Sequence, residues 1–376
     1  MKGRINYFFL ALSLILLGLG ILFLSTLSAI ASLQAFENTH YYLLHQLFAV
    51  LVGLTLGVAA YKIPLPLIRK WAFPLLILAL ILMLVVFVPA IGSKFWGAKR
   101  WITIGGTSFQ PSEFLKLASI VYLAALLSSR FSPDSAAKKT WGPKIKRGYE
   151  VVRHVLLPFL LLLGIISLVL LFQRDIGTLG IVALALFAVY FAAGTPIWHM
   201  LVSVGAGIAG GILFIGIEPY RVQRLLVFFN PETDPLGIGY QLRQSLIAIG
   251  SGGWIGKGLG MSTQKFGFLP QAMSDSVFAI LGEETGIIGC LIILALFVLF
   301  FWQGLRIAKN AQDSFARLTA VGIVIWLMIQ TFMNIASTVG FFPLTGIPLP
   351  FFSYGGTHIV AELIAVGLLL NISKNG

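Results

Sequence analysis

The feature that most constrains this chain is a succession of apolar segments, each long enough to cross a lipid bilayer. A membrane-spanning helix needs about 20 mostly apolar residues, because its backbone polar groups must all be hydrogen-bonded within the helix. Only 10% of the 376 residues are charged, whereas a soluble domain carries about 25%. The sequence therefore predicts an all-α, polytopic membrane protein that forms a single domain over residues 1–376. Ten spans are predicted, at roughly 7–30, 43–61, 71–92, 113–130, 153–172, 176–194, 197–217, 276–304, 317–338 and 357–372.

The distribution of lysine and arginine predicts which side of the membrane each segment faces, because cytoplasmic loops are enriched in both. With the N-terminus inside, 16 of the 26 basic residues fall in inside segments. We therefore expect both termini in the cytoplasm and a cytoplasmic basic loop at about 131–152. A large outer loop with short interfacial helices is expected at about 218–275, between spans seven and eight. This bias explains the net charge of +13, so we expect contact with membrane lipids and no nucleic-acid partner.

Basic residues in the predicted outer segments run against this bias and suit an anionic ligand. Arg221 and Arg224 lie three residues apart, on one face of a helix. Two guanidinium groups on one face can grip a diphosphate through several charge-assisted hydrogen bonds. Pairing with lipid headgroups is the simpler explanation for any one of these residues. Two further basic candidates are Lys99 and Arg100, and a possible sugar-binding face consists of Gln241, Gln244 and Ser245.

Ionisable residues near the ends of predicted spans are the strongest candidates for chemistry, because charge is costly at that depth and tends to be functional. Glu113 and Lys116 begin span four, Asp175 lies between spans five and six, and Asp275 opens span eight. Each has a structural alternative: a carboxylate can complement a helix dipole, and Glu113 and Lys116 can neutralise one another. The single cysteine and five scattered histidines do not have the spacing of a zinc site.

Seven motifs, in order along nearly the whole chain, resemble the SEDS family (shape, elongation, division, sporulation). They are Gly97–Ile102; Phe109–Glu113 with Lys116; Gln173–Thr178; Gly239–Gln241 with Gln244 and Ser245; Leu269–Pro270 with Asp275 and Phe278–Ile280; Gly282–Glu284; and Pro348–Phe351 with Ser353–Gly356. The segments Gln244–Gly250 and Gly258–Lys265 resemble the division branch, FtsW, more than the elongation branch, RodA. The sequence departs from the family pattern at Gln271, Ser274 and Ser276, which puts any role for a carboxylate at 271 in doubt.

The resemblance implies an inverting peptidoglycan glycosyltransferase that polymerises lipid II into β-1,4-linked glycan at the outer face of the cytoplasmic membrane. Asp275 is the expected general base, with Glu113, Lys116 and Asp175 lining the cavity. The diphosphate and sugars would meet the basic and polar residues named above, and a divalent cation, Mg²⁺ or Mn²⁺, would assist. The resemblance also implies a class B penicillin-binding protein as partner, with other divisome proteins.

The sequence favours septal synthesis during division and leaves three alternatives open. One is an elongation-type polymerase of the RodA branch. A flippase for lipid-linked precursors would also use intramembrane charges, but it should expose polar binding residues to both leaflets in turn. Here most polar motif residues lie on the predicted outer side, which favours the enzyme. A scaffold without activity is disfavoured by the presence of Asp275, Glu113 and Lys116.

Overall fold

The computed structural model describes residues 5–89, 92–95, 98–104, 107–129, 152–217, 224, 226–230, 234 and 237–374. This part of the chain contains eleven α-helices with defined bounds, a 3₁₀-helix at Gln264–Phe266 and a small antiparallel sheet. The helices are α1 Tyr7–Phe36, α2 Tyr41–Lys62, α3 Leu65–Val85, α4 Pro111–Ser128, α5 Leu157–Phe172 after a π-helical turn at Val152–Leu156, α6 Ile176–Ala192, α7 Ile197–Ile217, α8 Ile238–Gly252, α9 Val277–Asn310, α10 Ser314–Thr338 and α11 Gly356–Lys374. The strands are β1 Gly92–Phe95, β2 Ala98–Ile104 and β3 Thr107–Phe109, paired in that order.

All ten predicted spans coincide with helices, which confirms a polytopic helical membrane protein. Within the described residues, eight helices are long and apolar enough to cross a membrane, and α6 is a further apolar helix of 17 residues. Large apolar side chains are exposed along one face of α2, α3 and α5, as expected where a helix faces lipid. By contrast, α4 and α11 bury most of their residues inside the bundle.

The third predicted span is wrong in its boundaries. The sequence predicts it at 71–92, but α3 covers Leu65–Val85, and residue 92 already begins strand β1. The prediction started the span after Arg69 and Lys70, whereas both lie within α3 with exposed side chains. Long basic side chains near a helix end can reach the interface while their backbone stays helical. The sheet after α3 was not predicted, because its three strands are short and irregular.

Small residues bring α2 and α11 into close contact. Gly53 and Gly57 lie one turn apart on α2, and a methyl group at Gly57 would lie 2.6 Å from the carbonyl oxygen of Leu363. Gly367 on α11 in turn meets the backbone of Gly57. Membrane helices associate through such close backbone approach, since lipid offers no hydrophobic drive for association. Asn371, further along α11, donates hydrogen bonds to the carbonyls of α2 and the residue after it (Ala60 and Ile63).

The two chain ends lie at the same end of the bundle, which we call the terminal end. The backbone N–H of Asn6 donates to Ser373 Oγ over 3.4 Å, and Asn6 Nδ2 donates to Gln303 Oε1. The opposite end, which we call the site end, carries the sheet, helix α8 and the starts of α4, α6, α9 and α11. Nearly all of the predicted catalytic and binding residues therefore fall at one end.

Helix α9 is interrupted near its start, and the preceding loop supplies the missing hydrogen bonds. Gly286 has φ 66° and ψ −168°, a conformation that glycine adopts without strain. The N–H of Ile287 donates to Gly253 O, and the carbonyl of Glu283 accepts from the N–H of Lys257. The loop between α8 and α9 is thereby attached to α9 at the site end.

The predicted outer loop at 218–275 contains α8 and this attached loop, while its residues 218–223, 225, 231–233 and 235–236 lie outside the described part. Most of the predicted basic loop (residues 131–151) lies outside it too.

Candidate active site

Asp275 lies two residues before α9, at the site end, with its side chain half-buried. Gln241 on α8 donates from Nε2 to Asp275 Oδ2 over 3.4 Å and to Ser276 Oγ over 3.0 Å. Ser274 Oγ donates to Asp275 Oδ1, also over 3.4 Å. These two contacts to the carboxylate are long for hydrogen bonds to an ionised acceptor. The carboxylate is therefore oriented but not saturated, and it retains capacity to accept a proton.

The backbone of Asp275 is held firmly by helix α10. Asn334 Nδ2 donates over 2.8 Å both to Asp275 O and to Ile347 O, and Thr338 Oγ1 donates to Asp275 O over 3.3 Å. Asn334 and Thr338 are one helical turn apart and both buried. A carboxylate on a backbone fixed in this way can be placed accurately against a substrate.

Burial raises the pKa of the Asp275 carboxyl above its ordinary value. Its own backbone hydrogen bond, the hydrogen bonds from Gln241 and Ser274, and the positive charge of Arg224 oppose this effect without cancelling it. A poorly solvated carboxylate holds its proton more readily than one in water. Such a raised pKa is what a general base operating near neutral pH requires.

The segment 344–347, in the connection between α10 and α11, joins several parts of the site. Arg224 Nη1 donates to Leu344 O over 2.7 Å. A methyl group placed on Gly346 would lie 3.8 Å from Asp275 Oδ2, and Gly346 has φ 69°. Gly177, at the start of α6, packs against the same segment. The segment therefore places the guanidinium of Arg224 and the start of α6 on the same side of the bundle as Asp275.

The predicted ion pair between Glu113 and Lys116 forms inside the bundle, with 2.8 Å between Lys116 Nζ and Glu113 Oε2. Their side chains are 2–3% exposed. Lys116 Nζ also donates to Gln330 Oε1 over 2.8 Å, and the Nε1 of Trp326 donates to the same oxygen over 2.9 Å. On its other side, Gln330 Nε2 donates to Glu362 Oε1 over 3.4 Å. We call these five side chains the buried polar cluster.

Asp175 caps helix α6, accepting from the Thr178 N–H over 3.3 Å and from Thr178 Oγ1 over 2.9 Å. Arg100, on strand β2, places Nη1 3.7 Å from Asp175 Oδ1. The same guanidinium donates to the carbonyls of Gln173 and Arg174. Arg100 is thus bound to the turn between α5 and α6. Its contacts give it a structural function, whether or not it also meets a substrate.

The remaining predicted binding residues are dispersed around the site end. Gln241 and Gln244 are half-buried on α8, and Ser245 on the same helix is fully buried. Lys99 is half-buried on β2, where it pairs in register with Lys94. Arg221 lies outside the described residues. Within the described residues, Arg224 is the predicted diphosphate-binding arginine whose charge acts on Asp275.

Three side chains of this region were not predicted from the sequence. Gln330 and Glu362 belong to the buried polar cluster, and Asn334, one turn from Gln330 on α10, binds Asp275 O. Glu362 was detectable in principle, because an acidic residue within an otherwise apolar span is a functional candidate by its cost alone. Gln330 and Asn334 are uncharged, and their alignment with Thr338 on α10 emerges only from the helical structure.

The residues around Asp275 fit a divalent cation only if a substrate phosphate shares it. Within the described residues, no group of three or more His, Cys, Asp and Glu side chains is placed to hold a metal ion. Mg²⁺ is often bound by one or two carboxylates together with substrate phosphates and water. Asp275 offers one half-buried carboxylate of this kind.

Residues 6–376 match a protein family described as cell cycle proteins, the FtsW/RodA/SpoVE family. This chain belongs to the FtsW/RodA/SpoVE family. Among its relatives, the probable peptidoglycan glycosyltransferase FtsW of Trichlorobacter lovleyi is 38% identical over 354 residues, which cover 94% of this chain and 89% of the relative. Stage V sporulation protein E of Bacillus subtilis is 35% identical and covers 96% and 95%.

Two solved structures share the fold of this FtsW/RodA/SpoVE protein. One is a chain of a peptidoglycan synthase complex that coordinates polymerization and crosslinking, with a TM-score of 0.75, 25% identity and 98% of both chains covered. The other is the rod shape-determining protein RodA of Thermus thermophilus, with a TM-score of 0.69 and 24% identity over 98% of this chain. The family resemblance expected from the seven motifs is confirmed.

Proposed function

We propose that this protein is a peptidoglycan glycosyltransferase that polymerises lipid II at the outer face of the cytoplasmic membrane, with Asp275 as general base. The observation that carries this proposal is the half-buried carboxylate of Asp275, whose pKa is raised by burial and whose backbone is fixed by Asn334. The names of its FtsW relatives support the same activity and a role in septal synthesis during division.

In the proposed reaction, the 4-hydroxyl of the acceptor sugar attacks the anomeric carbon of the donor. Asp275 takes the hydroxyl proton as the new C–O bond forms. The bond between the anomeric carbon and the diphosphate oxygen breaks, and the polyprenyl diphosphate leaves with the electron pair. Attack from the face opposite the leaving group converts an α-linked donor into a β-1,4-linked product. A positioned general base typically contributes about 10²–10⁴ in rate.

The departing diphosphate carries negative charge into a poorly solvated region, so it requires cations close to the reacting carbon. Arg224 is the candidate best supported by geometry, since its guanidinium is bound to Leu344 O and its charge acts on Asp275. Lys99, Arg100 and Arg221 remain proposed contacts for the diphosphate. Among the sugar-binding candidates, Gln241 is in contact with Asp275, and Gln244 and Ser245 are proposed on the same helix.

Asp275 would hold a divalent cation, Mg²⁺ or Mn²⁺, together with the substrate phosphates. When bound, it would neutralise charge developing on the leaving diphosphate. Binding of Mn²⁺ to the protein with lipid II present, measured by electron paramagnetic resonance, tests this directly. We expect binding to weaken in Asp275→Asn, and unchanged binding would remove Asp275 from the cation site.

The orientation and the partner are also proposals. Both termini are proposed to be cytoplasmic, which places the site end at the outer membrane face. The peptidoglycan synthase complex with a similar fold supports a class B penicillin-binding protein as partner, with other divisome proteins. Labelling of a cysteine introduced at Ser274 by a membrane-impermeant reagent in intact spheroplasts tests the orientation. Co-purification with the candidate transpeptidase tests the partner.

The decisive experiment is polymerisation of fluorescent lipid II by purified protein, with and without Mg²⁺ or Mn²⁺ and the transpeptidase. We expect glycan strands from the wild type and none from Asp275→Asn. Asp313→Asn is the matched control, because Asp313 also precedes a helix and accepts from a backbone N–H of its first turn, but at the terminal end. This variant should polymerise normally. Wild-type activity in Asp275→Asn would refute the general base, while lipid II crossing liposome bilayers without polymer would favour the flippase.

A further inference from the structure

Glu362 is a fully buried carboxylate on α11 that the proposed reaction does not use. Its Oε2 accepts from the backbone N–H of Phe351 over 2.9 Å, and its Oε1 accepts from Gln330 Nε2 over 3.4 Å. An acidic side chain buried at this depth is costly unless its oxygens are hydrogen-bonded. Both oxygens of Glu362 are engaged, one with the turn before α11 and one with Gln330.

Phe351 has an unfavourable backbone conformation that needs external support. Its φ is 67°, in the left-handed region that bulky residues rarely occupy. The residue is also packed tightly: its carbonyl faces Gly20 on α1, where even a methyl group would overlap it, and its ring meets Phe300 edge-on at 5.6 Å. A buried backbone N–H without an acceptor is costly, so the hydrogen bond from the Phe351 N–H to Glu362 Oε2 supports this conformation. Glu362 therefore stabilises a conformation that the sequence disfavours locally.

The turn that contains Phe351 holds the backbone immediately before Asp275. Ser353 Oγ accepts from the N–H of Leu349 over 2.8 Å and donates to Ser274 O. The N–H of Tyr354 donates to Met273 O over 2.7 Å. Residues 273 and 274 are thus bound to the turn 349–354, so a change in the turn shifts the residues that lead into Asp275.

A second route from Glu362 reaches the other side of Asp275. Gln330, which donates to Glu362, also donates from Nε2 to Pro348 O over 3.2 Å. One turn along α10, Asn334 binds both Ile347 O and Asp275 O. The two routes meet at Asp275, one through the preceding residues 273–274 and the other through Asn334, which binds the carbonyl of Asp275.

We propose that Glu362 is a positioning residue for Asp275, acting through the turn 349–354 and through Gln330. This inference rests on the proposed role of Asp275 as general base. Glu362 touches neither the substrate nor the proton in transfer. Its effect is to hold the backbone of Asp275 where the carboxylate meets the acceptor hydroxyl, and a misplacement of about 1 Å at such a site can lower the rate about 10²-fold.

The test compares Glu362→Leu, Glu362→Gln and a control by polymerisation kinetics and by amide hydrogen exchange. The control is Asn371→Leu, which also removes a buried hydrogen-bonding side chain from α11 but at the terminal end. In Glu362→Leu we expect kcat to fall about 10²-fold with KM for lipid II within about threefold. The amides of Phe351 and Tyr354 should exchange faster. Glu362→Gln should recover most of kcat, since its amide oxygen still accepts from Phe351, and Asn371→Leu should retain kcat and both protected amides.

Several outcomes would overturn the proposal: an unchanged kcat in Glu362→Leu, an equal loss of kcat in Asn371→Leu, or a change confined to KM. If Glu362→Leu does not fold, Ser353→Ala interrupts the same route one step later. It should lower kcat at constant KM while the Phe351 amide stays protected, and wild-type kcat would refute the route. Absence of polymer from the wild type would count against the proposed function instead. The exchange comparison needs no activity and decides by itself whether Glu362 holds the turn.

Discussion

Replacing Lys116 with methionine removes the positive member of a buried ion pair and leaves Glu113 without its partner. The two charged atoms are 2.8 Å apart and their side chains are 2–3% exposed. At this separation, an effective dielectric constant of about 20 gives a gross attraction of about 6 kcal/mol. The desolvation cost offsets much of this, so removing one partner is expected to cost about 3–5 kcal/mol. Methionine matches the lysine stem in length, which keeps packing losses small.

The double variant Lys116→Met/Glu113→Gln distinguishes two causes of the lost stability: the unpaired buried charge of Glu113 and the loss of its contact with Lys116. Because both charges are removed together, we expect it to lose less than half as much stability as Lys116→Met. Lys257→Met is the control. Lys257 pairs with Glu283 at 2.6 Å, but its side chain is 35% exposed, and Glu283 keeps the hydroxyl and N–H donors of Ser262 and Thr263. That variant should lose about 1 kcal/mol or less.

The assay is reversible unfolding in mixed micelles, with the fraction of denaturing detergent increased and helix content followed by circular dichroism. The expected order of stability is wild type, then Lys257→Met and the double variant, then Lys116→Met well below. If Lys116→Met loses no more than Lys257→Met, the pair is not enclosed as described. If the double variant is as unstable as Lys116→Met, the loss comes from packing and not from the charge of Glu113.

Three further predictions follow from the same geometry. Asp275→Asn should abolish polymerisation and leave the protein at least as stable as the wild type at pH 7. The raised pKa of Asp275 means that its ionisation disfavours the folded state, and asparagine does not ionise. The polymerisation assay measures the loss of activity, and thermal unfolding measures the stability. The polymerisation rate should rise with pH as Asp275 loses its proton, with a midpoint above the ordinary carboxyl pKa of about 3.9. Gln241→Leu should move that midpoint higher, because it removes a hydrogen bond that lowers the pKa of Asp275. An unchanged midpoint in this variant would exclude an effect of Gln241 on the pKa of Asp275. Gly57→Val should destabilise the bundle by about 1–3 kcal/mol through overlap with α11, whereas Gly18→Val, which meets open space, should cost less in the same unfolding assay.

Much of the fold follows directly from the sequence, because the bilayer restricts what an apolar chain can form. Ten apolar runs gave ten helices, since unpaired backbone groups are intolerable in lipid. The errors fall where that restriction ends. Arg69 and Lys70 belong to α3 although they are charged, and Gly92–Phe95, Ala98–Ile104 and Thr107–Phe109 form strands outside the apolar segments.

The residue types of the site were also determined by the sequence, but their connections were decided by tertiary structure. Glu113 and Lys116 lie close in sequence, so a helix alone brings them together. Glu362 is 246 positions after Lys116, and only the packing of α4, α10 and α11 joins them through Gln330. Helix periodicity specifies which residues of one helix share a face. Which other helix packs against that face depends on side-chain packing summed over the whole bundle. For that reason the sequence identified Asp275 as a candidate base, and only the folded bundle shows what holds it in place.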